Sequence, residues 1–273
     1  MIDVVSIIIA VVSLVGSLVA AGFTGWISFY IDQVKRRSEA KALIHKYRDP
    51  LTLAAYDLQS RLWGLVQQNL LRYIDDEDKK DLVYVYTAFL VGQYFSWTYI
   101  LRRQAQFLRF TTEKTNKRLN QILDAITSEF SLDRHQGEDP FMLWRGQQMA
   151  IGELMTLSGE QEEGQLYCMG FAAFSQKYHN DPEFNKWFQP IDTGIGLLVD
   201  ARARGNSVAN YRLRRLQHLL IDLVLLLDED RVALGQNKQL KVDAAHDCKC
   251  DKCPGVIVAE SPSVSQISKL PEP

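Results

Sequence analysis

Close to the C-terminal end, His246, Cys248, Cys250 and Cys253 set four soft or borderline donors within eight positions. Such a set can surround Zn²⁺ tetrahedrally, because the ion takes imidazole nitrogen and thiolate sulfur and deprotonates the thiols it binds. Structural zinc sites usually pair two short ligand doublets across a longer loop, whereas these donors are compressed into one stretch. A flexible thiol-bearing tail is therefore the alternative reading. No cofactor is expected apart from a Zn²⁺ ion at this cluster.

Other residues carry weaker chemistry. His218 and Asp222 lie four apart on a helical pattern, so they could meet as a base and its orienter. No nucleophile stands at a readable spacing, and a solvated polar face with Arg214 and Arg215 explains the same residues. Tyr94, Trp97, Trp144 and Arg145 could line an aromatic cavity for a small ligand, although core packing accounts for aromatics equally well. Asp75-Asp76-Glu77-Asp78 lacks the glycine and spacing of a calcium loop and reads as a turn whose carboxylates favour the next helix N-terminus. The chain has no glycine-rich phosphate loop, paired-histidine zinc motif or nucleophile elbow.

The elements that must position these residues begin with an anchor. Val4 to Ile31 contains no charged side chain, and its 28 residues extend further than the roughly 30 Å of a bilayer core. Met1-Ile2-Asp3 provides no basic side chain for a signal peptide, and the apolar run continues past Ala20-Ala21, so an uncleaved span over residues 1–34 is predicted. Lys35, Arg36, Arg37, Lys41, Lys46 and Arg48 crowd its C-terminal flank, which by the positive-inside rule puts the N-terminus outside and the body in the cytoplasm. Ser13, Ser17, Ala21 and Gly25 make one face of the span small, suiting close helix pairing with itself or another membrane protein; small residues are also common in any membrane helix.

With 273 residues, 47% of them hydrophobic, the chain can bury one sizeable core beyond the anchor. A net charge of −2 excludes the basic footprint of a nucleic-acid binder, and four scattered or tail-clustered cysteines do not form a secreted disulfide framework. A juxtamembrane helix is expected over 35–49, then a restart at Asp49-Pro50 and a helical bundle over 50–230. Within it, Leu82 to Leu101 lacks formal charge over 20 residues, yet its tyrosines, threonines and Gln93, with Arg102-Arg103 following, favour a buried central helix over a second span. Further helices are expected around Leu119 to Phe130, from Asp139-Pro140 through Met155, from Leu166 to Tyr178, after Asp181-Pro182 until Pro190, and through Leu213 to Leu227. Gly194, Gly196 and Gly205 read as a connector, and Gly235 to Pro273, without one aromatic residue, as a disordered tail.

This pattern predicts an all-α fold: a single transmembrane helix, a cytosolic helical bundle and the tail. Arg48-Asp49-Pro50-Leu51, Gln93-Tyr94-Phe95-Ser96-Trp97 and Phe141 through Glu153 resemble segments of an uncharacterised family of membrane-anchored helical proteins. The resemblance covers most of residues 48–230 and implies the same anchored architecture, with no activity or site. The expected role is a non-enzymatic interaction or scaffold module at a membrane, with a protein partner or self-association through the anchor. The alternative is a small-ligand sensor or enzyme built around the aromatic cavity.

Overall fold

The structure is a computed structural model that describes residues 4–104, 114–134, 139–159, 165–205, 210–228, 240–245, 248, 250 and 253. Its helices are α1 (Val4–Val66), α2 (Glu77–Gln104), α3 (Lys114–Ser131), α4 (Arg145–Leu154), α5 (Phe171–Asn180), α6 (Pro182–Asn185), α7 (Gln189–Ala203) and α8 (Tyr211–Leu227). A 3₁₀ turn, Leu70–Asp75, links α1 to α2, and the short strands β1 (Thr156–Ser158) and β2 (Leu166–Cys168) pair antiparallel between α4 and α5. The protein is all-α in class.

Val12–Lys35 of α1 is the one stretch among the described residues long and apolar enough to cross a membrane, and none of it is buried. Ser17 and Thr24 donate their hydroxyls to the Ser13 and Ala20 carbonyls, at 2.7 and 2.8 Å. That satisfies the hydroxyls within the helix, as an apolar surrounding requires.

The same helix continues without a restart at Asp49-Pro50, contrary to the sequence expectation. Proline inside a helix forfeits one backbone hydrogen bond and costs about 3 kcal/mol. Here Tyr47 on the turn before the proline and Leu51, Ala54, Ala55, Leu58 and Leu62 on the turns after it are all buried, and α1 packs along both α2 and α8. Burial at roughly 1.5–3 kcal/mol per large apolar side chain outweighs the loss. The candidate membrane span and the bundle thus share one helix.

Central α2 contacts α1, α4, α5 and α7 and buries Val83, Ala88, Leu90, Val91, Tyr94, Phe95 and Ile100, as expected of a core helix. Glu77 and Asp78 occupy its first turn, where carboxylates complement the helix dipole. Gly152 of α4 lets that helix lie directly on α2, since a Cβ there would sit 2.8 Å from the Phe95 carbonyl oxygen.

Three boundaries differ from expectation. Asp139-Pro140 opens no helix, and α4 begins only at Arg145, because the Asp139 carboxylate accepts from Arg212 (2.9 Å) and the Arg134 N–H (2.8 Å) instead of capping. Buried Phe141, at φ 59°, fills the space against Gly194 of α7. Leu166–Cys168 is strand rather than helix, because it pairs antiparallel with Thr156–Ser158 and the following Met169 N–H bonds the Met155 carbonyl. Pro190 stands in the first turn of α7, which carries Gly194 and Gly196 inside it and closes before Gly205 at φ +66°.

Candidate metal centre

Helix α8 holds the site. Leu213, Leu216, Leu220, Leu223 and Leu227 are buried, as the spacing requires, but so are Arg212, Arg214, Arg215, Gln217, His218 and Asp222. The expected solvated face is therefore a second buried face, and each of its polar residues has a partner, although Arg212 Nε and one Arg215 Nη find none among the described residues. Arg212 pairs with Asp139 and donates to the Phe130 and Leu132 carbonyls, while Arg215 reaches Glu129 at 2.7 Å. Buried charges persist only when paired in this way.

Further along α8 the partners come from the C-terminal segment. Gln217 donates to the Leu240 carbonyl (3.0 Å) and accepts from the Val242 N–H (3.2 Å), and Arg214 donates to the Asp243 carbonyl (2.9 Å). Val242, Ala244 and Ala245 are buried there. The reading of Gly235 to Pro273 as a tail without packing thus needs correction at Leu240–Ala245, where small apolar residues and backbone groups meet side chains that the helix supplies.

This docking carries Cys248, Cys250 and Cys253 to His218. Their Sγ atoms lie 3.3, 3.3 and 3.8 Å from His218 Nδ1, and all four donor atoms fall within 4.8 Å of one another. The group can hold a metal ion. Bonds of about 2.3 Å to sulfur and 2.0 Å to nitrogen around a tetrahedral ion would separate nitrogen from each sulfur by about 3.5 Å, so the spacing fits. His246, the expected fourth donor, lies outside the described residues.

The imidazole is oriented for this role. Its Nε2 donates to the Val242 carbonyl at 2.6 Å, leaving the lone pair of Nδ1 toward the sulfurs. Burial lowers the His218 pKa to about 4, with the bond to Val242 opposing, so the ring is neutral at pH 7. Burial likewise pushes the Cys248 thiol up to about 12 and raises that of Cys250, so in the metal-free protein both are protonated. Beside them, the Lys241 ammonium sits 2.6 Å from Asp222 and 3.3 Å from Cys250 Sγ. Desolvation works against that ammonium, yet Asp222 and Cys250 outweigh it and hold its pKa above the ordinary value.

Neither protein-family models nor curated proteins nor solved structures give a match to this chain. The site is read from its own geometry.

Asp222, expected as an orienter for His218, is turned instead to Lys241, and Val242 orients the ring. Of the residues expected to line a ligand cavity, Tyr94 is buried, Trp97 half-buried, Trp144 64% exposed, and exposed Arg145 donates to the Ser128 hydroxyl. Two cavities of about 420 and 400 Å³ are lined by other residues, among them Asp139, Gln147 and Gly194 in one and Leu65, Asn69 and Arg202 in the other. The residue sequence reasoning missed was His218 as a ligand. Its signal was a donor set too compressed to close on itself, which called for a fourth ligand from far away in the chain.

Proposed function

We propose that this is a non-enzymatic, single-pass membrane protein whose cytosolic helical bundle is an interaction or scaffold module, closed at its C-terminal end by a structural Zn²⁺ ion. The observation that carries the reading is the convergence of His218, Cys248, Cys250 and Cys253. Three thiolates and one imidazole suit Zn²⁺ among available divalent ions, and four protein donors fill a tetrahedron. No coordination position then remains for a substrate, which separates a structural site from a catalytic one. The exposed apolar stretch Val12–Lys35 supports membrane attachment, and the basic flank of that stretch supports a cytoplasmic bundle.

Zinc would fasten Leu240–Cys253 onto α8, the helix that also packs against the cytosolic half of α1. The full-length chain, purified in detergent, should carry one zinc per protein by elemental analysis, and the Cys248→Ser/Cys250→Ser variant should carry none. Protease added to sealed cells should leave the bundle intact. A metal-free wild-type protein would overturn the zinc reading, and digestion of the bundle from outside would overturn the orientation.

A further inference from the structure

His218 and Asp222 stand one turn apart on the same face of α8, about 6 Å along its axis. Consecutive residues of the docked segment engage them, the Val242 carbonyl at His218 Nε2 and the Lys241 ammonium at Asp222. Lys241 does not stop at the carboxylate. Its Nζ also donates to Cys250 Sγ at 3.3 Å, with the lysine side chain 9% and the Asp222 side chain 6% exposed.

Charge explains why a cation belongs there. Three thiolates and a neutral imidazole around a divalent ion leave one surplus negative charge, at half-buried cysteines beside the nearly buried Lys241 and Asp222 side chains. An ammonium hydrogen-bonded to one thiolate offsets that surplus, whereas a lysine free to swing into solvent would do so far less well. The Asp222 carboxylate supplies the tether.

Resting on the zinc reading, we infer that Lys241 and Asp222 are positioning residues of the metal centre: Asp222 holds the Lys241 ammonium against Cys250 and thereby sets how tightly the ion is kept. Neither touches the metal. Groups of this kind typically change metal affinity by about 10–100-fold when removed.

Chelator competition on the full-length protein in detergent, loaded with Zn²⁺ and separately with Co²⁺, tests this. Lys241→Met should lower Zn²⁺ affinity at least about tenfold and shift the thiolate-to-Co²⁺ charge-transfer band to lower energy, as a thiolate that has lost a hydrogen bond requires. Lys241→Arg should recover part of both. Asp222→Asn should also weaken binding, but not further in a Lys241→Met background. Should Lys241→Met fail to fold, Asp222→Asn decides, since it preserves shape. Unchanged affinity and an unshifted band in either single variant, with only the metal-free melting temperature reduced, would show a merely structural ion pair. Raised affinity in Asp222→Asn would show a charge effect without tethering. Either result overturns the inference while leaving the zinc site standing; a wild-type protein that binds no metal removes both.

Discussion

Metal uptake should release about three protons per ion, and the number follows from the state of each ligand. Cys248, with its pKa near 12, and Cys250, pushed above its ordinary value, hold their protons at pH 7 and must surrender them to bind. Cys253, the third cysteine of the group, also binds only as thiolate, which brings the expected count to three. His218 adds none, because burial keeps it neutral down to about pH 4 and the bond to Val242 leaves Nδ1 bare. With three protons displaced, apparent Zn²⁺ affinity should fall about a thousandfold for each pH unit lost below 8. Isothermal titration calorimetry of the metal-free full-length chain, in buffers of different ionisation enthalpy, counts the protons directly. His218→Ala should weaken binding while leaving the count near three. A release of one proton or fewer at pH 7, or an affinity changing about tenfold per pH unit, would refute the three-thiolate assignment.

The metal-free protein should itself be acid-sensitive. The His218 pKa is depressed in the folded state, so its contribution is complete above the unfolded value near 6.5 and is lost as pH falls toward 4; the gap corresponds to about 3 kcal/mol. Denaturant melts between pH 7 and 4 should show this loss, and His218→Gln should flatten it. Gly152→Ala should cost about 1–3 kcal/mol, because its Cβ would press to 2.8 Å on the Phe95 carbonyl oxygen and 2.9 Å on Tyr99 Cβ. Gly146→Ala, with nothing within 4 Å of its Cβ, should instead stabilise by up to about 1 kcal/mol, a contrast that thermal unfolding resolves. Arg212→Met should cost about 3–5 kcal/mol by leaving Asp139 without the Arg212 guanidinium, and Arg212→Met/Asp139→Leu should regain much of it in the same melts.

Features that depend on a contiguous stretch of chain were legible without the fold. Val4 to Ile31 is apolar whatever surrounds it, and Val12–Lys35 is exposed and long enough to cross a bilayer. The helical period of Leu213 to Leu227, the dense apolar run in α2 and the Asp181-Pro182 start are likewise local, and Asp181 does accept from the Phe184 N–H at 3.1 Å. The three tail cysteines marked a candidate metal cluster through their own spacing, with a flexible thiol-bearing tail as the alternative, and the structure gathers them into a group that could hold an ion.

Tertiary structure decided whatever depended on residues far apart. Asp49-Pro50 and Asp139-Pro140 carry the same local start signal, yet packing carries α1 through the first and Arg212 takes the carboxylate of the second. Arg214, Arg215, His218 and Asp222 look like a wet face until partners from residues 129 and 241–243 cover them, because burial of a charge is settled by its partner and not by its own helix. His218 stands 30 residues from Cys248. Only the docking of Leu240–Ala245 along α8 brings that nitrogen to the sulfurs, since four donors can meet at one ion only where the chain folds back on itself.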